Sequence, residues 1–134
     1  MKTDLRILAV EDETAVAQFL ALVLCGPNCK VMTAHDGRDA LAKIEANPRP
    51  FDIIITDHRM PRLCGLELVR ELRARNFEGK IAVLSAHLTQ AVIRDYKEQR
   101  VDAMISKPFD IDQLRRAIEA LAEQISAYAE REVA

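Results

Sequence analysis

Five short runs of aliphatic and β-branched residues recur along the chain, at 5–10, 30–34, 51–57, 80–84 and 102–106. Each is followed by a stretch whose apolar positions fall three and four apart, the spacing of a helix with one buried face. The first such helix is predicted over 14–24, with Val16, Phe19, Leu20 and Val23 on its stripe, and Gly26-Pro27-Asn28 stops it. The second spans 38–46 and ends before Asn47-Pro48. A third carries Leu66, Leu68, Val69 and Leu72, and a fourth, more polar one covers 89–100. Asp110 with Gln113 forms a capping pattern that opens the last helix, where Ile111, Leu114, Ile118, Leu121, Ile125 and Tyr128 alternate by three and four. The third strand, Phe51-Asp52-Ile53-Ile54-Ile55-Thr56-Asp57, is apolar on both faces and therefore central. Strand and helix repeated five times predict an α/β domain, a five-stranded parallel sheet with about five helices covering both faces.

Composition narrows the picture. A chain of 134 residues, 49% hydrophobic and 30% charged, is one globular domain rather than a disordered segment. A net charge of −2 gives no electrostatic case for nucleic acid or an anionic membrane. No apolar run approaches the roughly 20 residues of a membrane span, and no signal-peptide segment stands at the start, so a cytoplasmic location is expected. Three cysteines, Cys25, Cys29 and Cys64, fit reduced thiols. Cys25 and Cys29 have no second ligand pair to complete a zinc site and are read as packing at a helix end and a strand start.

The chemistry sits where the strands end. Glu11 and Asp12, Asp57, Ser85 and Lys107 close four different runs. Parallel strands point one way, so these residues converge on one crevice. Three carboxylates there repel, and one ammonium cannot balance them. Either one acid holds a proton or a divalent cation fills the gap, and oxygen ligands with open positions suit Mg²⁺. A carboxylate nucleophile faced by a cation, an ammonium and a hydroxyl is a layout for phosphoryl transfer onto Asp57.

The pieces Val10-Glu11-Asp12-Glu13, Ile55-Thr56-Asp57 with Met60-Pro61, Gly65-Leu66-Glu67-Leu68, Leu84-Ser85-Ala86 and Ser106-Lys107-Pro108-Phe109 together resemble the receiver domain of two-component response regulators. The resemblance runs from about residue 5 to 121, with a receiver domain over 1–124 and a helical extension or tail over 125–134. It implies a flavodoxin-like three-layer sandwich with strand order 2-1-3-4-5. It implies that Asp57 takes a phosphoryl group from a phosphohistidine on a sensor histidine kinase or histidine phosphotransfer protein, with no separate substrate turned over. Mg²⁺ (or Mn²⁺) would lie on Asp12, Asp57 and the Arg59 backbone carbonyl, with Glu11 helping through water. Lys107 and Ser85 would bind the phosphoryl oxygens, with Ala86 leaving room, and the Lys107-Pro108 bond would be cis. The output surface would be the fourth helix, fifth strand and last helix, read by a downstream protein or a linked output domain.

Several residues depart from that pattern. The switch position three before Lys107 is usually aromatic and is Met104 here. Arg59 and His87 stand at rim positions that tune phosphoryl lifetime in the family. His58 neighbours Asp57 but, by strand alternation, is expected to pack on another face. Cys64 replaces a helix-capping Asp, so a cap worth about 1 kcal/mol is expected to be missing. Ile125 and Tyr128 continue the apolar pattern past the usual receiver end and make a homodimer through the last helix a candidate. Too few residues follow Tyr128 for an output domain, so this is expected to be a single-domain regulator or a receiver cut from a longer protein.

Rival activities fit less well. A haloacid-dehalogenase-type enzyme needs a second acid where Arg59 stands. A serine hydrolase on Ser85, His87 and Asp57 lacks the Gly-x-Ser-x-Gly elbow. A flavodoxin-type carrier would need Glu11-Asp12-Glu13 to attract an anion. The alternative that survives is an interaction module on the same fold that works without phosphorylation.

Overall fold

The computed structural model describes residues 5–24, 26 and 28–133, with side chains up to residue 125. The element order is β1 Leu5–Val10, α1 Thr14–Leu24, β2 Cys29–Ala34, α2 Gly37–Ala46, β3 Ile53–Asp57, α3 Gly65–Ala74, β4 Lys80–Ser85, α4 Gln90–Glu98, β5 Ala103–Ser106 and α5 Ile111–Val133. All strand pairs are parallel and the order is β2-β1-β3-β4-β5, the doubly wound flavodoxin-like arrangement.

Side-chain alternation builds the three layers. Ile7, Ala9, Ile53, Ile55, Ala82 and Leu84 face one side, where Leu20 and Leu24 of α1 and Leu114, Ile118 and Leu121 of α5 cover them. Leu8, Val10, Ile54, Ile81 and Val83 face the other side, under Ala40, Leu68, Val69, Leu72 and Tyr96 of α2, α3 and α4. β1 and β3 are thus buried on both faces, which is why their sequences show no polar alternation. The chain turns back between them, so the C-terminal ends of β1 and β3 frame the crevice that this topology opens.

Some boundaries and faces differ from the sequence pattern. β3 begins at Ile53 because Asp52 leaves the strand: its carboxylate accepts the Arg6 N–H at 2.8 Å, and its carbonyl takes the Lys80 N–H. Of the Val16–Phe19–Leu20–Val23 stripe on α1, Leu20 is buried and Val16 packs partly buried on the core, while Ala17 and Leu24 join them and Phe19 does not. Ala17 is small enough to let the helix approach the sheet, and Phe19 is left 42% exposed. α4 is shorter than 89–100: Thr89 caps it by accepting the Val92 N–H, and Arg100 lies beyond it at φ 58°. α3 is not uncapped. Cys64 lacks a carboxylate, but the Glu67 side chain reaches back to accept the Cys64 N–H at 3.3 Å, the reciprocal half of a capping box. Asp110 caps α5 through the Gln113 N–H at 2.6 Å. Cys29 begins β2 opposite Leu5 and packs on the core beside α1. Cys25 and the side chain of Tyr128 lie outside the described residues. No helix among the described residues is long and apolar enough to cross a membrane.

Candidate functional site

Each strand end delivers its polar residue for a local reason. Val10 is the last core residue of β1, and the next position, Glu11, is still 98% buried, with its backbone N–H on the Ala34 carbonyl at 2.9 Å. Its carboxylate accepts the Glu13 N–H at 3.1 Å, while Asp12 stands exposed beside it. Asp57 ends β3, and β4 runs alongside as far as Ser85. The Lys107 N–H donates to the Ser85 carbonyl at 2.9 Å, so the β4 and β5 ends are closed against each other. Lys107-Pro108 is cis, as the resemblance implies.

The charged groups meet in one place. Lys107 Nζ lies 3.1 Å from Asp57 Oδ2 and 3.3 Å from Glu11 Oε1. Glu11, Asp12 and Asp57 each offer a carboxylate oxygen within 4.8 Å of the others. The other oxygen of Asp57, Oδ1, accepts the His58 N–H at 2.9 Å. Burial is the largest influence on Glu11 and pushes its carboxyl up; Asp12 and Asp57 push the same way, against the Glu13 N–H and Lys107. Burial alone would lower Lys107, but the hydrogen bond and charge of Asp57, followed by Glu11, outweigh it and hold the ammonium above its ordinary value. One cation among three acids leaves an excess of negative charge in a crevice open on the Asp12 side. Oxygen donors so placed fit a hard divalent cation of the Mg²⁺ type.

The remaining predicted residues lie on or just beyond β3, β4 and β5. Ser85 is buried and its hydroxyl accepts the His87 N–H at 3.0 Å, with Ala86 and His87 exposed beyond it. Arg59 is exposed, and both Arg59 and His87 are close enough to oppose protonation of His58, whose pKa burial already lowers. Met104 is half-buried and packs against the core under α4.

A model of the response regulator receiver domain matches residues 7–119. The chain belongs to that family. Its relatives include the response regulator ArlR of Staphylococcus aureus, 36% identical over 116 residues, which is 87% of this chain and 52% of ArlR. The chain therefore spans about half the length of the curated relatives it matches. Among solved structures, the Francisella response regulator 1452 receiver domain superposes with a TM-score of 0.81 at 30% identity, covering 91% of this chain and 99% of that one. The chemotaxis protein CheY4 of Vibrio cholerae gives 0.80 at 29% identity, covering 88% and 98%.

Two contacts of this receiver domain were not read from the sequence. The His58 imidazole does not lie idle: its Nδ1 is 2.5 Å from the Tyr96 hydroxyl, and the rings meet edge to face at 5.4 Å. Burial, with smaller effects from Cys64 and Asp57, raises the Tyr96 pKa far above its usual value, so the hydroxyl stays neutral, and the imidazole tautomer sets which partner donates. The other fastens the loop after Asp57 to α2. Arg62, at φ 71°, pairs with the buried Asp36 at 3.6 Å, and Gly37 packs so closely on Leu63 that a Cβ would approach it to 2.7 Å. Asp36 is also the N-cap of α2, accepting the Asp39 N–H at 2.7 Å. Nothing in the spacing along the chain pairs residue 36 with residue 62.

Proposed function

We propose that Asp57 is the phosphoacceptor, and that a sensor histidine kinase or a histidine phosphotransfer protein supplies the group. The observation that carries this is the contact of Asp57 with the Lys107 ammonium at 3.1 Å inside a cluster of three acids. A carboxylate oxygen of Asp57 forms a bond to phosphorus as the phosphorus–nitrogen bond of phosphohistidine breaks. The electron pair returns to the imidazole nitrogen, which then takes a proton, and the product on this chain is an acyl phosphate.

Lys107 meets the charge on the phosphoryl oxygens, and the Ser85 hydroxyl, held nearby by the His87 N–H, turns to donate to one of them. Ala86 leaves that approach open. Asp12, Asp57 and the Arg59 backbone carbonyl would hold Mg²⁺ or Mn²⁺, with Glu11 helping through water. When bound, the cation supplies the positive charge that Lys107 alone does not. Arg59 and His87 sit at the rim and tune how long the acyl phosphate lasts. The added charge of about −1.5 to −2 draws Ser85 and Lys107 inward and shifts the α4–β5–α5 surface, which a downstream protein or a linked output domain reads. Residues 1–124 are the receiver unit, and the continuation of α5 past 124 is a linker or a homodimer contact. The chain works in the cytoplasm and turns over no separate substrate.

Incubation with acetyl phosphate and Mg²⁺, followed by intact mass measurement, tests the reading. One phosphoryl adduct is expected, and it should fail to form when the cation is chelated beforehand or in Asp57→Asn. Failure of the wild-type protein to form it would leave the phosphorylation-independent interaction module instead.

A further inference from the structure

Among the described residues Tyr96 has the largest side chain that is fully buried, at 0% exposure, and it is the one buried residue of α4. Its hydroxyl passes through the gap between the end of β3 and the start of α3 to reach His58 Nδ1 at 2.5 Å. Gly65 makes that gap. A Cβ there would stand 2.7 Å from the Tyr96 hydroxyl, 2.5 Å from the Asp57 carbonyl oxygen and 3.0 Å from the His58 Cα. The His58 peptide is in turn held on three sides. Its N–H faces Asp57 Oδ1 at 2.9 Å and the Leu84 carbonyl at 3.0 Å, and its carbonyl takes the Gly65 N–H at 2.9 Å.

These contacts form one continuous path from the Asp57 carboxylate, through the His58 peptide and ring, to the middle of α4. A second observation bears on the same helix. Met104 of β5 is partly buried and packs against the same cluster that contains Tyr96. Methionine is flexible enough to follow a moving neighbour but has no polar tip with which to hold a position.

We infer that Tyr96 is a positioning residue that ties α4 to the phosphoacceptor strand through His58, so that a change at the Asp57 carboxylate is transmitted directly to α4. The inference rests on Asp57 being the phosphoacceptor. Phosphorylation changes the group that the His58 N–H faces, the His58 peptide adjusts, and the imidazole carries the Tyr96 hydroxyl and α4 with it. A buried hydroxyl with a short bond to a ring nitrogen cannot simply release it, because an unpaired polar group there costs about 1–3 kcal/mol.

The test is hydrogen–deuterium exchange of α4, Gln90–Glu98, with and without acetyl phosphate and Mg²⁺, the phosphorylated fraction being read by intact mass in the same samples. Tyr96→Phe keeps the ring and its burial and removes only the hydroxyl. In the wild-type protein phosphorylation should change α4 exchange by about fivefold or more, the lower end of ordinary coupling between sites. In Tyr96→Phe the adduct should still form while the α4 response largely disappears, and His58→Gln should behave alike, which covers a failure of either variant to fold. A purely structural role would speed α4 exchange equally in both states and leave the phosphorylation ratio at its wild-type value. That result overturns the coupling while leaving the phosphoacceptor reading intact. Absence of adduct in the wild-type protein would instead remove both.

Discussion

The two edges of the sheet use the same residue types and treat them in opposite ways. At the edge where the strands begin, Asp52 and Asp102 carboxylates accept the N–H groups of Arg6 and Ile81 at 2.8 and 2.9 Å. Lys80 lies 3.6 Å from Asp102, and the Arg6 guanidinium bonds Asn47 and the Arg49 carbonyl and stacks on Phe51. At the edge where the strands end, Glu11, Asp12 and Asp57 share one lysine. The cause is the polarity of a parallel sheet. Strand starts present free N–H donors, which suit carboxylates, whereas strand ends present carbonyl acceptors, which do not. An Asp at the first edge completes the structure. At the second it is short of a cation and available for chemistry.

Exchanging a carboxylate for a methyl at each edge should break the comparison most sharply. Asp57→Ala abolishes phosphoryl adduct formation altogether and, by relieving repulsion, does not lower the stability of the cation-free protein. Asp102→Ala forms the adduct as the wild-type protein does but loses about 1–3 kcal/mol, because the buried Ile81 N–H is left without its acceptor. Intact mass and urea unfolding read the two effects, and an Asp57→Ala protein that still took up the group would place the acceptor elsewhere.

Mg²⁺ should sharpen the same contrast. At a hundred times its dissociation constant it adds about 2.7 kcal/mol to unfolding free energy, by binding the folded state only. That gain should vanish in Asp12→Ala and persist in Asp102→Ala. Equal loss in both would mean the cation is not held at the strand ends.

The smallest effect concerns acidity. The folded protein binds the Glu11 proton more tightly than the unfolded chain does, since burial raises its pKa above 4.5. Its contribution is therefore most favourable below pH 4.5 and declines as pH rises through the raised value, levelling off above it. Glu11→Gln should flatten that part of the stability profile in the absence of cation. A decline of unchanged slope in the variant would assign it to another group.

The order of apolar runs was enough to establish the parallel α/β sheet, because alternation and helical spacing are local consequences of burial. It also placed Glu11, Asp12, Asp57 and Lys107 together, since strands that all run one way must end at one edge. The α3 cap by Glu67 and the burial of Ala17 rather than Phe19 were not legible, because each depends on how closely a helix seats on its neighbours. The same holds for the two ties that reach across the fold, Arg62 to Asp36 and His58 to Tyr96. Periodicity says which face of an element is inward, but not which atom of a distant element waits there. Only the packed three-layer structure set the Tyr96 hydroxyl against the strand end, and a long-range contact of that kind leaves no spacing in the chain to read.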